Sequence, residues 1–323
     1  MYKILNTRGL GVGGKQNELI ELALTFGFKG VEVDMMDLVG RHDAMGKEFA
    51  IQFLQSAKID MGSFKLPVDL GGTNEAYGVS IAKIDTILDL ASTLNSKTCY
   101  VEITPNNENF SFQECFETHQ TRLQELAERF AAHNINIGLS LQASSAEPPE
   151  GTFKFIQTAE ELLTLSKAIS QTNVGVCVDA WEWVLGGGTI DQLKSAGFGE
   201  VVKEIRLADI SEGADRENIK SSDRTTLPGD QAGSFSFQLV QLALENEADI
   251  PVSAATDLST YAGAPRDSIV KAISANLDLM LEGKDPAVVA AELAAAAAAE
   301  AAEEGDEAAE GESKESPAPA ATN

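Results

Sequence analysis

Apolar residues along this chain follow two alternating rhythms. Short unbroken runs, rich in β-branched residues and closed by Gly, Pro or an acid, alternate with longer stretches in which apolar positions recur every three or four residues. The first rhythm predicts strands covered on both faces, as in a parallel sheet. The second predicts amphipathic helices. Strands are expected at Tyr2–Asn6, Val31–Met35, Met61–Leu66, Thr98–Ile103, Ile135–Leu141, Val174–Asp179, Val202–Leu207 and Ile250–Ala255. Helices are expected at Gln16–Phe26, at Lys47–Ala57, from Thr73 or Asn74 through Leu94, and at Phe112–His133. They continue from a Thr158 cap through Ser170, at Thr189–Ala196, Phe235–Glu245 and Pro265–Leu281, with a long polar loop over Ser211–Ser234.

Eight strand–helix units in strict alternation imply a parallel sheet with right-handed crossovers. Eight favours closure, so the expected fold is α/β, a (β/α)8 TIM barrel over residues 1–282. Beyond it the composition changes. Asp285 and Pro286 form a helix start, an N-cap followed by proline in the first turn. Ala-rich sequence then favours a helix over residues 283–304. Residues 305–323 are acidic and rich in Pro, Ser and Ala, and are expected to form a disordered tail.

Charge narrows the function classes. The net charge is −26, and ten acids against two lysines lie in residues 283–323 alone. Phosphate backbones and anionic lipid surfaces are bound by clustered Lys and Arg, so neither nucleic acid nor membrane is an expected partner. Cys99, Cys115 and Cys177 show no paired spacing, and two of them lie inside apolar runs, which suits buried, reduced thiols. The first residues hold no signal-peptide core. The expected localisation is cytoplasmic.

The chemistry is concentrated where strands end. Four pieces carry it: F-G-F-K-G-V-E-V-D at Phe26–Asp34, V-G-V-C-V-D at Val174–Asp179, E-I-R-L-A-D at Glu204–Asp209, and L-P-G-D at Leu227–Asp230. In these pieces and their spacing the chain resembles the xylose isomerase-like barrel superfamily, the sugar phosphate isomerase and epimerase group, over roughly residues 2–282. The resemblance implies a divalent metal at the carboxyl-terminal mouth. Its usual ligands are Glu from strand five, Asp from strand six, His from strand seven and Glu from strand eight. The glutamates also move protons between neighbouring substrate carbons, while the metal polarises the oxygens.

Transferred one at a time, only the strand-six acid is retained, as Asp179. The strand-five glutamate falls on Gln142, the strand-seven histidine on Arg206, and the strand-eight glutamate on Ala255 or, by register, on Ala254 or Thr256, none of them a carboxylate. A histidine that commonly follows strand six is Glu182 here. Arg206 cannot deprotonate and so cannot coordinate a metal. A dication roughly 4 Å from a guanidinium is repelled by about 8 kcal/mol at an effective dielectric near 20. The three histidines, His42, His119 and His133, fall in helices or a polar loop, away from strand ends.

The sequence therefore predicts a barrel without the inherited metal, with Arg206 as the fixed positive charge, paired with Asp179 and with Glu182 or Asp209 near by. No cofactor is expected; a divalent Mn, Zn or Mg is the alternative. The expected ligand is a small sugar or polyol, bound by Lys65, Gln142, Asp179, Arg206 and Asp209. Metal-free isomerase or lyase chemistry with Glu102 or Glu182 as base is the second reading, and a non-catalytic scaffold the third. Glu32, Asp34 and Asp257 are further rim candidates. Gly186–Gly188 reads as a turn, and Trp181 and Trp183 as packing residues.

Overall fold

The structure is a computed structural model of the chain, and it describes residues 1–145, 150–215, 218–256 and 263–312. The strand-forming runs meet in one parallel ring. Its strands are β1 (Tyr2–Leu5), β2 (Gly30–Val31), β3 in two pieces (Asp60–Met61 and Phe64–Lys65), β4 (Thr98–Glu102), β5 (Asn136–Ser140), β6 (Val174–Asp179), β7 (Val202–Leu207) and β8 (Pro251–Ala254). The hydrogen-bonded order runs from the first piece of β3 through β2, β1, β8, β7, β6, β5 and β4 to the second piece of β3. The sheet thus begins and ends in the same strand, which makes it a closed barrel.

The break in β3 falls at Gly62 and Ser63. The first piece pairs with β2, Val31 opposite Met61. The second pairs with β4, Lys65 opposite Tyr100. Register places the carboxyl ends of the later strands level, with Asp179 opposite Arg206 and Arg206 opposite Ser253. That common level is the mouth.

Helices wrap the ring and supply the outer layer of the core. α5 (Ile84–Thr93) turns Ile84, Ile87, Leu88, Leu90 and Ala91 inward. α6 (Phe112–Ala131) buries Leu123, Leu126, Ala127 and Phe130. α7 (Ala159–Ala168) starts at Thr158, whose hydroxyl accepts from Glu161 N in a capping box, the local reason the helix begins there. α11 (Phe235–Glu245) and α12 (Arg266–Leu281) follow β7 and β8.

Several boundaries differ from the sequence expectation. The second strand stops early because the Asp34 carboxylate accepts from Met36 N and Asp37 N, starting α2 (Met35–Met45). His42 therefore sits in a helix rather than in a polar loop. α3 (Lys47–Ala57) stands as expected. The long helix expected to end at Leu94 is two helices, α4 (Asn74–Ser80) and α5. β6 runs straight into α8 (Ala180–Leu185), capped by Asp179 itself. α9 (Ile190–Ala196) is capped by Thr189, and a single-turn α10 (Phe198–Val201) precedes β7. A Cβ on Gly188 would lie 2.2 Å from Trp183 Nε1, so this glycine serves the close packing of a turn. α13 (Pro286–Glu312) extends past residue 304, where the sequence places the end of the helix; residues 313–323 lie outside the described residues, as does Asp257. Among the described residues no helix is long and apolar enough to cross a membrane.

Candidate functional site

Two guanidinium groups organise the mouth, and they take different partners. Arg206 extends from β7 and is buried. Its Nε donates to Glu204 Oε1 at 2.8 Å, and its Nη2 donates to Glu32 Oε2 at 3.3 Å. Its Cζ lies 3.7 Å from the Tyr100 ring centroid. Glu204 and Arg206 are two residues apart on one strand and so share a face. Ser63, at the break in β3, donates to Glu204 Oε1 at 2.8 Å, and the Tyr100 hydroxyl donates to Glu32 Oε1 at 3.1 Å. Burial pushes the Glu32 carboxyl above the ordinary glutamate range, against the pull of Arg206. Burial also opposes the charge on Arg206, but Glu204 and Glu32 more than offset this and hold its pKa up.

This corrects the expected pairing. Arg206 does not bond Asp179, although the two are register neighbours, because its side chain turns to the carboxylates of its own strand and of β2. Asp179 is instead held by Arg224, from the long loop after β7. Arg224 Nη1 donates to Asp179 Oδ1 at 3.2 Å and Oδ2 at 3.1 Å, and to the Ala255 carbonyl at 2.9 Å. Its Nη2 reaches Glu182 Oε1 at 3.5 Å, and the guanidinium lies 4.3 Å from the Trp181 ring. Glu182 also accepts from Ser144 N at 2.8 Å and Ser144 Oγ at 2.6 Å. Burial, then the nearby Asp179 charge, raises the Glu182 carboxyl's pKa.

The remaining sequence candidates divide. Lys65 and Glu102 pair with each other across the ends of β3 and β4. Glu102 is about one-third exposed. Gln142 spends an amide hydrogen on the Leu141 carbonyl. Asp209 is buried, but its oxygens accept from Ser236 N at 2.8 Å and Gly229 N at 3.4 Å. It anchors the loop and the start of α11 and lines none of the mouth cavities described below. Asp34 pairs with Arg8 at 2.6 Å as well as capping α2.

A cavity of about 420 Å³ opens at the mouth, lined by Asn6, Arg8, Gly9, Gly11, Asp179, Arg206, Ser221, Arg224, Ala255 and Thr256. Gly9 is required there: Asn6 Oδ1 accepts its N–H at 2.7 Å, and a Cβ would lie 2.4 Å from Asn6 Nδ2. An adjoining cavity of about 280 Å³ meets Arg8, Glu32 and Lys65. A third, of about 420 Å³, lies between α1 (Gln16–Thr25) and α2 and also meets Arg8 and Glu32. Arg8 thus borders all three. Among the described residues, no group of three or more His, Cys, Asp or Glu is placed to hold a metal ion.

Sequence reasoning missed Arg224, Glu204, Ser144 and Arg8. Alternation along β7 was enough to find Glu204. No local pattern marks Arg224, whose role depends on a loop returning to the mouth.

Comparison with known proteins gives one family and many solved structures of the same fold. The model of the xylose isomerase-like TIM barrel family matches residues 20–253. A xylose isomerase domain protein from Alicyclobacillus acidocaldarius is similar with a TM-score of 0.75 at 17% identity, covering 88% of this chain and 99% of that one. The IolI protein, solved with a bound zinc atom, is similar with a TM-score of 0.70 at 15% identity, covering 87% and 98%. D-psicose 3-epimerase from Clostridium cellulolyticum H10, solved with D-tagatose, gives 0.65 at 13%, covering 87% and 98%. No curated protein matches the chain.

Proposed function

The chain belongs to the xylose isomerase-like TIM barrel family, and from that premise we propose that it is a divergent sugar isomerase- or epimerase-like barrel that binds a small sugar or polyol at its mouth, with a protein cation in place of the family's divalent metal. One observation carries the reading. Arg224 Nη1 reaches both Asp179 oxygens and, at 2.9 Å, the Ala255 carbonyl, so a guanidinium bridges the ends of β6 and β8. The sequence reading gave this part to Arg206; the geometry favours Arg224. The other ligand positions agree. Gln142 offers a neutral amide, Arg206 a second guanidinium, and Ala255 only its carbonyl, so the donor set does not fit a dication.

The consequence is chemical. Without a Lewis acid, charge on a substrate oxygen is stabilised only by hydrogen bonds from arginine and by fixed dipoles. Metal content of the purified full chain tests the reading. The expected result is far less than one ion per chain and no thermal shift with Mn, Zn or Mg. About one tightly held ion per chain, released by Asp179→Ala, would overturn it.

A second reading keeps catalysis. Glu182 is a buried carboxyl with a raised pKa, the property a proton-transferring group needs near neutral pH. Its cationic partner is Arg224, where the sequence reading set Arg206 beside either base, Glu102 or Glu182. This reading requires exchange of a substrate C–H with solvent deuterium that Glu182→Gln abolishes; absence of exchange in the wild-type chain with every sugar that binds it would end it.

A further inference from the structure

We infer that the cavity between α1 and α2 is a second binding site, for a free apolar α-amino acid in its zwitterionic form. This ligand goes beyond the sugar or polyol proposed for the mouth, and neither depends on the other.

The cavity exists because the sheet opens there. Between β1 and β2 the last ladder bond runs from Glu32 N to Leu5 O at 2.9 Å. The next rung, Thr7 N to Glu32 O, is absent among the described residues. The chain turns at Asp34 into α2 instead of continuing beside β1. The space left, about 420 Å³, falls within the range of small-molecule sites, about 300–1,000 Å³.

The floor is apolar. Leu19 and Ile20 from α1, Val31 from β2 and Leu38 from α2 line it, and the last three are buried. Such a surface gives the hydroxyls of a polyol no partner, while an aliphatic or aromatic side chain leaves water on reaching it.

The rim is charged, and its charges balance. Arg8 Nη2, which also borders the mouth, meets Asp34 Oδ2 at 2.6 Å. Arg41 Nη2 meets Asp37 Oδ2 at 2.8 Å, while its Nη1 donates to Gln16 Oε1 at 2.9 Å and so spans from α2 to α1. Glu32, the fifth charged group of the lining, has both oxygens engaged, by Tyr100 and by Arg206.

These pairs select the class of ligand. A lone anion on Arg41 would displace Asp37 and leave it without its cation. A lone cation on Asp37 would strand Arg41 in the same way. A zwitterion replaces both partners at once: its carboxylate meets the guanidinium in a charge-assisted pair, and its ammonium meets the Asp37 carboxylate. Arg41 Nε and Asp37 Oδ1 make no hydrogen bond among the described residues and remain open for this exchange. Opening the pair costs the fold little, because the Asp37 side chain is 55% exposed and exposed i,i+4 pairs contribute little to stability. An α-amino acid carries both charges on one carbon and leaves its side chain for the floor.

Calorimetry on the full chain tests this with leucine, methionine and phenylalanine. The tightest of the three is then compared with glycine and with its own deaminated and decarboxylated analogues. The expected result is at least tenfold weaker binding of all three comparison compounds, since each lacks the side chain or one charge. Arg41→Gln and Asp37→Asn, close in shape and outside the mouth cavity, should each weaken the amino acid about tenfold. Thermal melts of both variants should match the wild type within a few degrees. No binding by leucine, methionine or phenylalanine at millimolar concentration would overturn the inference. So would glycine or a singly charged analogue bound as tightly as the parent, or an affinity unchanged in either variant. Each of those results leaves the sugar or polyol reading of the mouth standing.

Discussion

The two arginines at the mouth have the same charge and nearly opposite circumstances. Arg206 is carried by a strand, lies in the barrel interior, and is held by Glu204, Glu32 and the face of Tyr100. Arg224 is carried by a loop and ties the continuous β6–α8 junction, through Asp179 and Glu182, to the end of β8. The first is fixed by the fold that surrounds it. The second fixes what surrounds it. A cation in a barrel can therefore be either a component of the core or a clasp, and the partners, not the residue type, decide which.

That contrast can be broken at its strongest point first. Arg206→Leu leaves Glu32 and Glu204 buried with no cation, and removing one partner of a buried charge cluster costs about 3–5 kcal/mol. Urea denaturation should show a loss of that size; a loss below about 1 kcal/mol would show that the interior pairs are not what holds Arg206 in place. Arg224→Gln should cost less, about 1–3 kcal/mol, since Asp179 keeps its two backbone N–H bonds and Glu182 keeps Ser144. Its sharper signature is local: limited proteolysis should cut within residues 211–234 sooner than in the wild type. Unchanged cleavage with lowered global stability would make Arg224 a core residue after all.

The smallest effect is in pH dependence. Glu32 titrates higher in the folded chain than in the unfolded one, by burial. The folded state therefore keeps its proton longer, so this contribution to stability is complete below the ordinary glutamate range and is lost as pH rises through the raised value. Glu32→Gln removes that dependence. Its stability relative to wild type should rise as pH climbs from the ordinary glutamate range through the raised value, by about 1.4 kcal/mol for each unit of the shift. A flat or falling difference would mean that Glu32 is ionised throughout and bound to Arg206 as a plain ion pair.

Much of the fold was readable from the alternation of apolar runs. Val174–Asp179 and Val202–Leu207 appear with their expected bounds, the first a nearly continuous apolar run ending in Asp179, the second carrying Val202, Ile205 and Leu207 and closed by Asp209. The second strand was over-extended at Asp34 because an acid after an apolar run can close a strand or cap a helix, and only the following turn distinguishes them. α8 was missed because six residues are too few to establish a period. At the site, the spacing of Glu204 and Arg206 already put both on one face, yet Arg206 was matched to a neighbour in register rather than to its own strand. Asp209 looked like a rim acid and turned out to serve backbone N–H groups. Arg224 was beyond reach: nothing in a polar loop records which of its side chains comes back to the barrel.

The chain has two tryptophans, and both fall in α8, one of them under the Arg224 guanidinium. Each is about 1% exposed. The native emission of this protein is thus a built-in optical probe of the clasp. Any molecule that draws Arg224 away from Asp179 must alter the electric field over one indole, and unlabelled protein in a cuvette will report it.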